Sequence, residues 1–184
     1  MRRLGHRKIK VGHAGTLDPL ATGILIVCLG RATKQAEALQ AQPKEYLTTL
    51  ALGATTPSFD MEHPVDRTFP YEHITRQMLE EALRTMEGEQ MQLPPVYSAK
   101  SIDGKRAYEY ARQGTEVEMR RAPVTVYGMR LESFEPPRAT LRIRCSKGTY
   151  IRSIARDLGE KLGSGAYLTA LCRTRSGDFT LEDA

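Results

Sequence analysis

The chain has 184 residues, 40% of them hydrophobic, with a net charge of +5. That length supports one domain with a full core, no apolar stretch reaches a membrane span, and the basic start has no secretory apolar segment behind it. Cys28, Cys145 and Cys172 lie far apart in apolar runs, a spacing that fits neither a disulfide framework nor a zinc site, so reduced thiols in a cytoplasmic protein are expected.

The first elements are basic. Residues 1–34 carry seven Lys/Arg and one acid, residues 35–95 four and ten, and residues 96–184 sixteen and eleven. Two basic regions flanking an acidic middle suit a cationic face that binds a polyanion by counterion release. Charge alone does not separate this from a solvated surface. Residues 1–11 read as a basic arm or the tail of a helix. Residues 22–30 read as a buried strand, and residues 32–39 as a short helix. Residues 44–52 alternate as a strand with Tyr46, Thr48, Leu50 and Leu52 on one face. Residues 53–71 form a polar loop.

Residues 75–87 predict a helix, because Leu79, Ala82, Leu83 and Met86 recur on one side and Gly88 follows as a stop. Residues 95–121 read as an excursion carrying several cations, with a short helix over 103–113 closed by Gly114, suited to a mobile flap over a ligand. Residues 123–135 and 139–146 predict paired strands. Ile151, Ile154, Ala155, Leu158 and Leu162 mark an amphipathic helix ending at Gly163, and residues 167–175 a last strand. Without a strict βαβ rhythm, this mixture predicts an α+β fold with a mixed, mostly antiparallel sheet.

Candidate site residues gather in two glycine-containing turns. In Gly12-His13-Ala14-Gly15-Thr16-Leu17-Asp18-Pro19-Leu20-Ala21-Thr22-Gly23, Asp18 precedes a proline and so avoids helical geometry. An Asp-Pro pair also suits a helix start, so a capping role stays open, although the crowding of His13 and three glycines exceeds what a cap needs. Ser146-Lys147-Gly148-Thr149-Tyr150-Ile151-Arg152 joins a strand to a helix, and free N–H groups at such a start suit an anion. Arg152 sits in the first turn, where a cation opposes the helix dipole; it answers an anion or is a surface arginine. Tyr46 offers a stacking face or is an ordinary sheet tyrosine. His13 suits proton transfer or a structural turn. Leu171 reads as core. Lys34, Lys100, Lys105, Arg106, Arg120 and Arg121 are phosphate contacts or solvated cations.

These two motifs, with Gly30-Arg31-Ala32-Thr33-Lys34, Lys44-Glu45-Tyr46 and Pro95-Val96-Tyr97-Ser98-Ala99 in the same order, resemble the TruB family of tRNA pseudouridine synthases over essentially the whole chain. The resemblance implies a pseudouridine synthase core over residues 1–184, with an RNA-gripping insertion at about 95–121. It implies isomerisation of the T-loop uridine at position 55 of tRNA, with no cofactor and no metal. By resemblance Asp18 is the catalytic aspartate, Tyr46 stacks on the uracil, and Arg152 pairs with Asp18. Tyr150 and Leu171 line the pocket, and His13 fills the gap left by the flipped base. Lys34, Lys100, Lys105, Arg106 and Lys147 are expected RNA contacts.

The resemblance further implies a stand-alone monomer that binds the tRNA T-arm without guide RNA. It departs from the family pattern in two respects: no Lys-Pro-x-Gly-x-Thr-Ser strand region precedes the basic segment, and no C-terminal RNA-binding domain follows. A second reading, a non-catalytic tRNA-binding or tRNA-folding module on the same core, would bind salt-sensitively and form no pseudouridine. A third is another base-modifying enzyme using the same aspartate.

Overall fold

The alternating residues of 44–52, 122–145 and 166–176 build most of one seven-stranded sheet in the computed structural model. The structure describes the backbone of residues 2–4, 7–98, 100–102, 104–113, 115 and 118–184; the side chains of residues 2–4, 7, 8, 101, 102, 106, 111 and 112 are outside that description. The sheet comprises β1 (Thr22–Gly23), β2 (Lys44–Leu52), β3 (Gly88–Gln92), β4 (Ala122–Glu135), β5 (Arg138–Cys145), β6 (Ala166–Ser176) and β7 (Phe179–Thr180). Its order is β7-β6-β2-β5-β4-β3, and β1 adds to β6 in parallel. The other pairings are antiparallel, which confirms the α+β expectation.

Among the described residues four α-helices accompany it: α1 (Ala36–Ala41), α2 (Arg76–Thr85), α3 (Ala107–Arg112) and α4 (Ile151–Lys161). The Thr75 side chain caps α2 by accepting from the Met78 N–H at 3.2 Å, which satisfies an otherwise orphaned donor. Leu79, Ala82 and Leu83 of α2 and Ile151, Ile154, Ala155 and Leu158 of α4 are buried in one core with Leu50, Leu141, Ile143 and Leu168. Stripe and alternation therefore meet where both periodicities place apolar side chains. The register sets Tyr46 opposite Ile143 on one side and opposite Arg173 on the other. The strand that carries core residues thus also carries residues of the site beyond the α4 N-terminus.

The structure corrects five expectations. In residues 1–11, Arg2–Leu4 and Arg7–Ile9 pair as antiparallel strands rather than forming a loose arm or helix tail. Residues 22–30 are not one buried strand: β1 ends at Gly23, and Val27–Leu29 pairs instead with Val11–His13. Leu25, Val27 and Leu29 are exposed there, because a two-stranded hairpin has a face with nothing packed on it. The polar loop over 53–71 contains a short pair, Ala54–Thr55 with Arg67–Thr68. The helix over 32–39 is split into a 3-10 turn, Gly30–Gln35, followed by α1. In the 95–121 excursion the helix is confined to α3, and Gly114 lies outside the described residues.

Candidate active site

Residues 14–24 leave the short Val11–His13 strand and rejoin the sheet through β1, carrying Asp18 at mid-loop. The Ala21 N–H donates to the Asp18 carbonyl at 2.9 Å, so Asp18 opens a turn rather than capping an α-helix. The loop docks very closely on β6. A Cβ at Gly23 would stand 2.2 Å from the Arg173 carbonyl oxygen, and Gly23 has φ +94°. Only glycine meets both conditions.

Arg152 makes a two-pronged ion pair with Asp18: Nε donates to Oδ2 and Nη2 to Oδ1, both at 2.8 Å. The Arg152 side chain is 5% exposed and that of Asp18 30%. A surface arginine is therefore ruled out. Nη1 donates to the carbonyls of Tyr97 at 2.8 Å and Ser58 at 3.3 Å. A second carboxylate stands behind the pair, with Asp60 Oδ2 3.7 Å from Arg152 Nε. Asp60 is itself held by the Ser58 hydroxyl at 2.6 Å and the Glu62 N–H at 2.9 Å. The two carboxylates offset the cost of a cation at the positive end of α4. A guanidinium fork also fixes the plane of the Asp18 carboxylate, which a point charge would not.

Asp18 faces an open cleft of about 560 Å³, shared with Tyr46, Tyr150, Leu171, Lys100 and Lys147. Burial pushes the Tyr46 and Tyr150 phenols above the ordinary tyrosine range, so both present neutral, flat rings. Leu171 packs against the core and also lines the cleft. Lys44 forms part of the wall: its buried ammonium donates to the carbonyls of Leu39, Gln40 and Gln42, closing the C-terminal end of α1. Burial, and then the neighbouring Arg173 charge, lower its pKa from the ordinary lysine range.

The structure thus brings Asp18, Tyr46, Tyr150, Arg152 and Leu171 together, with Arg152 behind the carboxylate rather than on the cleft surface. Lys100 lines the cleft and donates to the Arg120 carbonyl at 2.9 Å; Lys147 is on the exposed rim. His13 and Lys34 are exposed and not among the residues lining the cleft. Lys105 stands 5.8 Å from the Tyr110 ring centre, and the Arg106 side chain lies outside the described residues. Sequence reasoning missed Asp60 and Arg173. Neither carried a sequence signal: two-residue alternation groups Arg173 with Tyr167, Thr169 and Arg175, and only the register shift between Leu168 and Ala170 turns it inward, while Asp60 reads as an ordinary acid of a polar loop. Among the described residues, no group of three or more His, Cys, Asp or Glu side chains is placed to hold a metal ion.

Fold and site define an α+β protein with a cleft built around one aspartate–arginine pair. The family described as TruB family pseudouridylate synthase (N terminal domain) matches residues 2–151, and the chain belongs to that family. A relative named tRNA pseudouridine synthase B, from Phocaeicola vulgatus, is 57% identical over 182 residues, covering 99% of this chain and 77% of its own. The protein of that name from Bacteroides fragilis is 55% identical over 181 residues, covering 98% and 78%. Among solved structures, a Cbf5-Nop10-Gar1 complex superimposes with a TM-score of 0.70 at 30% identity, over 93% of this chain and 41% of that one. An H/ACA RNP bound to a substrate RNA containing 2'-deoxyuridine gives 0.66 at 27%, over 93% and 40%. The chain therefore spans about two fifths of these structural relatives.

Proposed function

We propose that this chain isomerises the T-loop uridine of tRNA, at position 55, to pseudouridine, with Asp18 as the catalytic residue. The observation that carries the site assignment is the two-pronged Asp18–Arg152 pair presented to a cleft with Tyr46 and Tyr150. In the reaction the bond from the sugar C1′ to uracil N1 breaks and a bond from C1′ to C5 forms. The C5 proton is lost and N1 gains one. Nothing is oxidised or reduced, and no atom leaves the product, so the conversion needs no cofactor.

The uridine must first leave its stack, at a cost of a few kcal/mol. Backbone contacts from Lys100, Lys147 and the 95–121 insertion offset that cost by holding the T-arm. Tyr46 stacks on the extruded uracil, an interaction of about 1–3 kcal/mol per base, and retains it while it turns. Tyr150 and Leu171 close the sides. The Asp18 carboxylate serves either as nucleophile toward base or sugar or as base toward a sugar proton; Arg152 holds it in place for both.

The chain works as a monomer in the cytoplasm, without guide RNA; no helix among the described residues is long and apolar enough to cross a membrane. The test is incubation of the chain alone with an unmodified T-arm stem-loop, followed by chemical mapping of pseudouridine. Product at the T-loop uridine without any added RNA supports the reading. Salt-sensitive binding without product, or product that requires a second RNA, overturns it.

A further inference from the structure

Arg173 is 1% exposed and is the bulkiest of the fully buried side chains. Among the described residues, none of the ion pairs includes it. Its guanidinium donates to backbone carbonyls of one loop, Nε to Ile24 at 2.7 Å, Nη1 to Thr16 at 3.3 Å and Nη2 to Gly15 at 3.3 Å, and it also reaches the Tyr46 phenol, whose ionised form it favours against the larger effect of burial. The Arg173 carbonyl accepts the Ile24 N–H at 2.9 Å, and Arg173 is the parallel partner of Gly23 and the antiparallel partner of Tyr46. One residue thus clasps both ends of the loop that carries Asp18 and sits beside the strand position that carries Tyr46. A buried cation without a carboxylate is costly for stability, and a leucine at this inward position would serve the core better. What the guanidinium supplies is a rigid fork of donors that no other side chain offers.

We propose that Arg173 is a positioning residue, fixing the Asp18 loop relative to Tyr46 so that carboxylate and stacked base meet in register. The proposal rests on the catalytic reading of Asp18. Arg173 lines the same cleft as Asp18 and Tyr46 but is 1% exposed, so it acts mainly through the geometry of the loop and governs turnover more than affinity. A lysine at position 173 keeps the charge but reaches fewer carbonyls, and freeing the loop by about an ångström costs on the order of 100-fold in rate.

The experiment compares wild type with Arg173→Lys and Arg173→Gln on the whole chain. Three quantities are read: single-turnover pseudouridine formation on the T-arm stem-loop, stem-loop affinity, and amide hydrogen exchange over residues 14–24 against that of α4 and β5. The expected result is a rate loss on the order of 100-fold at unchanged affinity, with faster exchange in residues 14–24 and unchanged protection in α4 and β5. Unchanged rate and loop protection overturn the proposal, as does loss of protection throughout the fold in both variants, because Arg173 would then serve the core as a whole. Should wild type itself form no pseudouridine, the catalytic reading fails on its own, and the exchange measurement still decides whether Arg173 holds the loop.

Discussion

At the residue scale the site depends on the fit of two side chains from distant parts of the chain. Arg152 reaches Asp18 with two parallel hydrogen bonds, and a lysine there would keep the charge while losing the fork. Arg152→Lys is expected to slow pseudouridine formation roughly 10–100-fold, the equivalent of one charge-assisted hydrogen bond of about 1.5–3 kcal/mol; single-turnover kinetics at saturating stem-loop would show it. The misplaced helix-start cation at Arg152 called for an anion, but that Asp18 is this anion follows in sequence only from the family resemblance, because the proline-fixed acid also reads as a cap. Asp60 was not legible, because what gives it meaning is its 3.7 Å approach to Arg152, a distance set by tertiary packing alone.

At the element scale the glycine of β1 decides how the loop that carries Asp18 seats. Gly23→Ala would drive a methyl into the Arg173 carbonyl and force an L side chain to φ +94°. Strain of about 1–3 kcal/mol is expected, relieved by lifting residues 14–24 off β6. Activity then falls while the core stays folded, which activity assays paired with thermal melts would register. Thr75→Ala makes a useful contrast: it removes only the α2 cap and should lower the melting temperature by about 2–4 °C for a loss of about 1 kcal/mol, leaving turnover unchanged. Elements with a clear period, such as β2, β5, α2 and α4, were legible because both their core and solvent faces are written in the sequence. The segment over 22–30 was misread as one buried strand because its apolar residues fall on a hairpin with an open face, where composition imitates burial.

At the scale of the whole molecule, charge and burial set the response to solvent. Affinity for the T-arm should fall steeply with salt, and Lys147→Ala should reduce the slope of log K against log salt by about 1, as removal of one phosphate contact does. Burial pushes the Cys145 thiol up to about 11 from 9.0. The unfolded chain therefore loses this proton first as pH rises. Stability is full below about pH 9 and declines toward pH 11, by an amount on the order of 2 kcal/mol from this group. The buried Tyr46 and Tyr150 phenols shift in the same direction. Denaturant midpoints measured from pH 8 to 11 should fall, and the fall should be shallower in Cys145→Ala. The central claim is that the carboxylate of Asp18 carries the chemistry. Its most direct test is single-turnover pseudouridine formation on an unmodified T-arm stem-loop by wild type and Asp18→Asn, with stem-loop affinity measured in parallel. Product from the wild type and none from Asp18→Asn, at comparable affinity, is the predicted result; turnover near wild type in Asp18→Asn would contradict it.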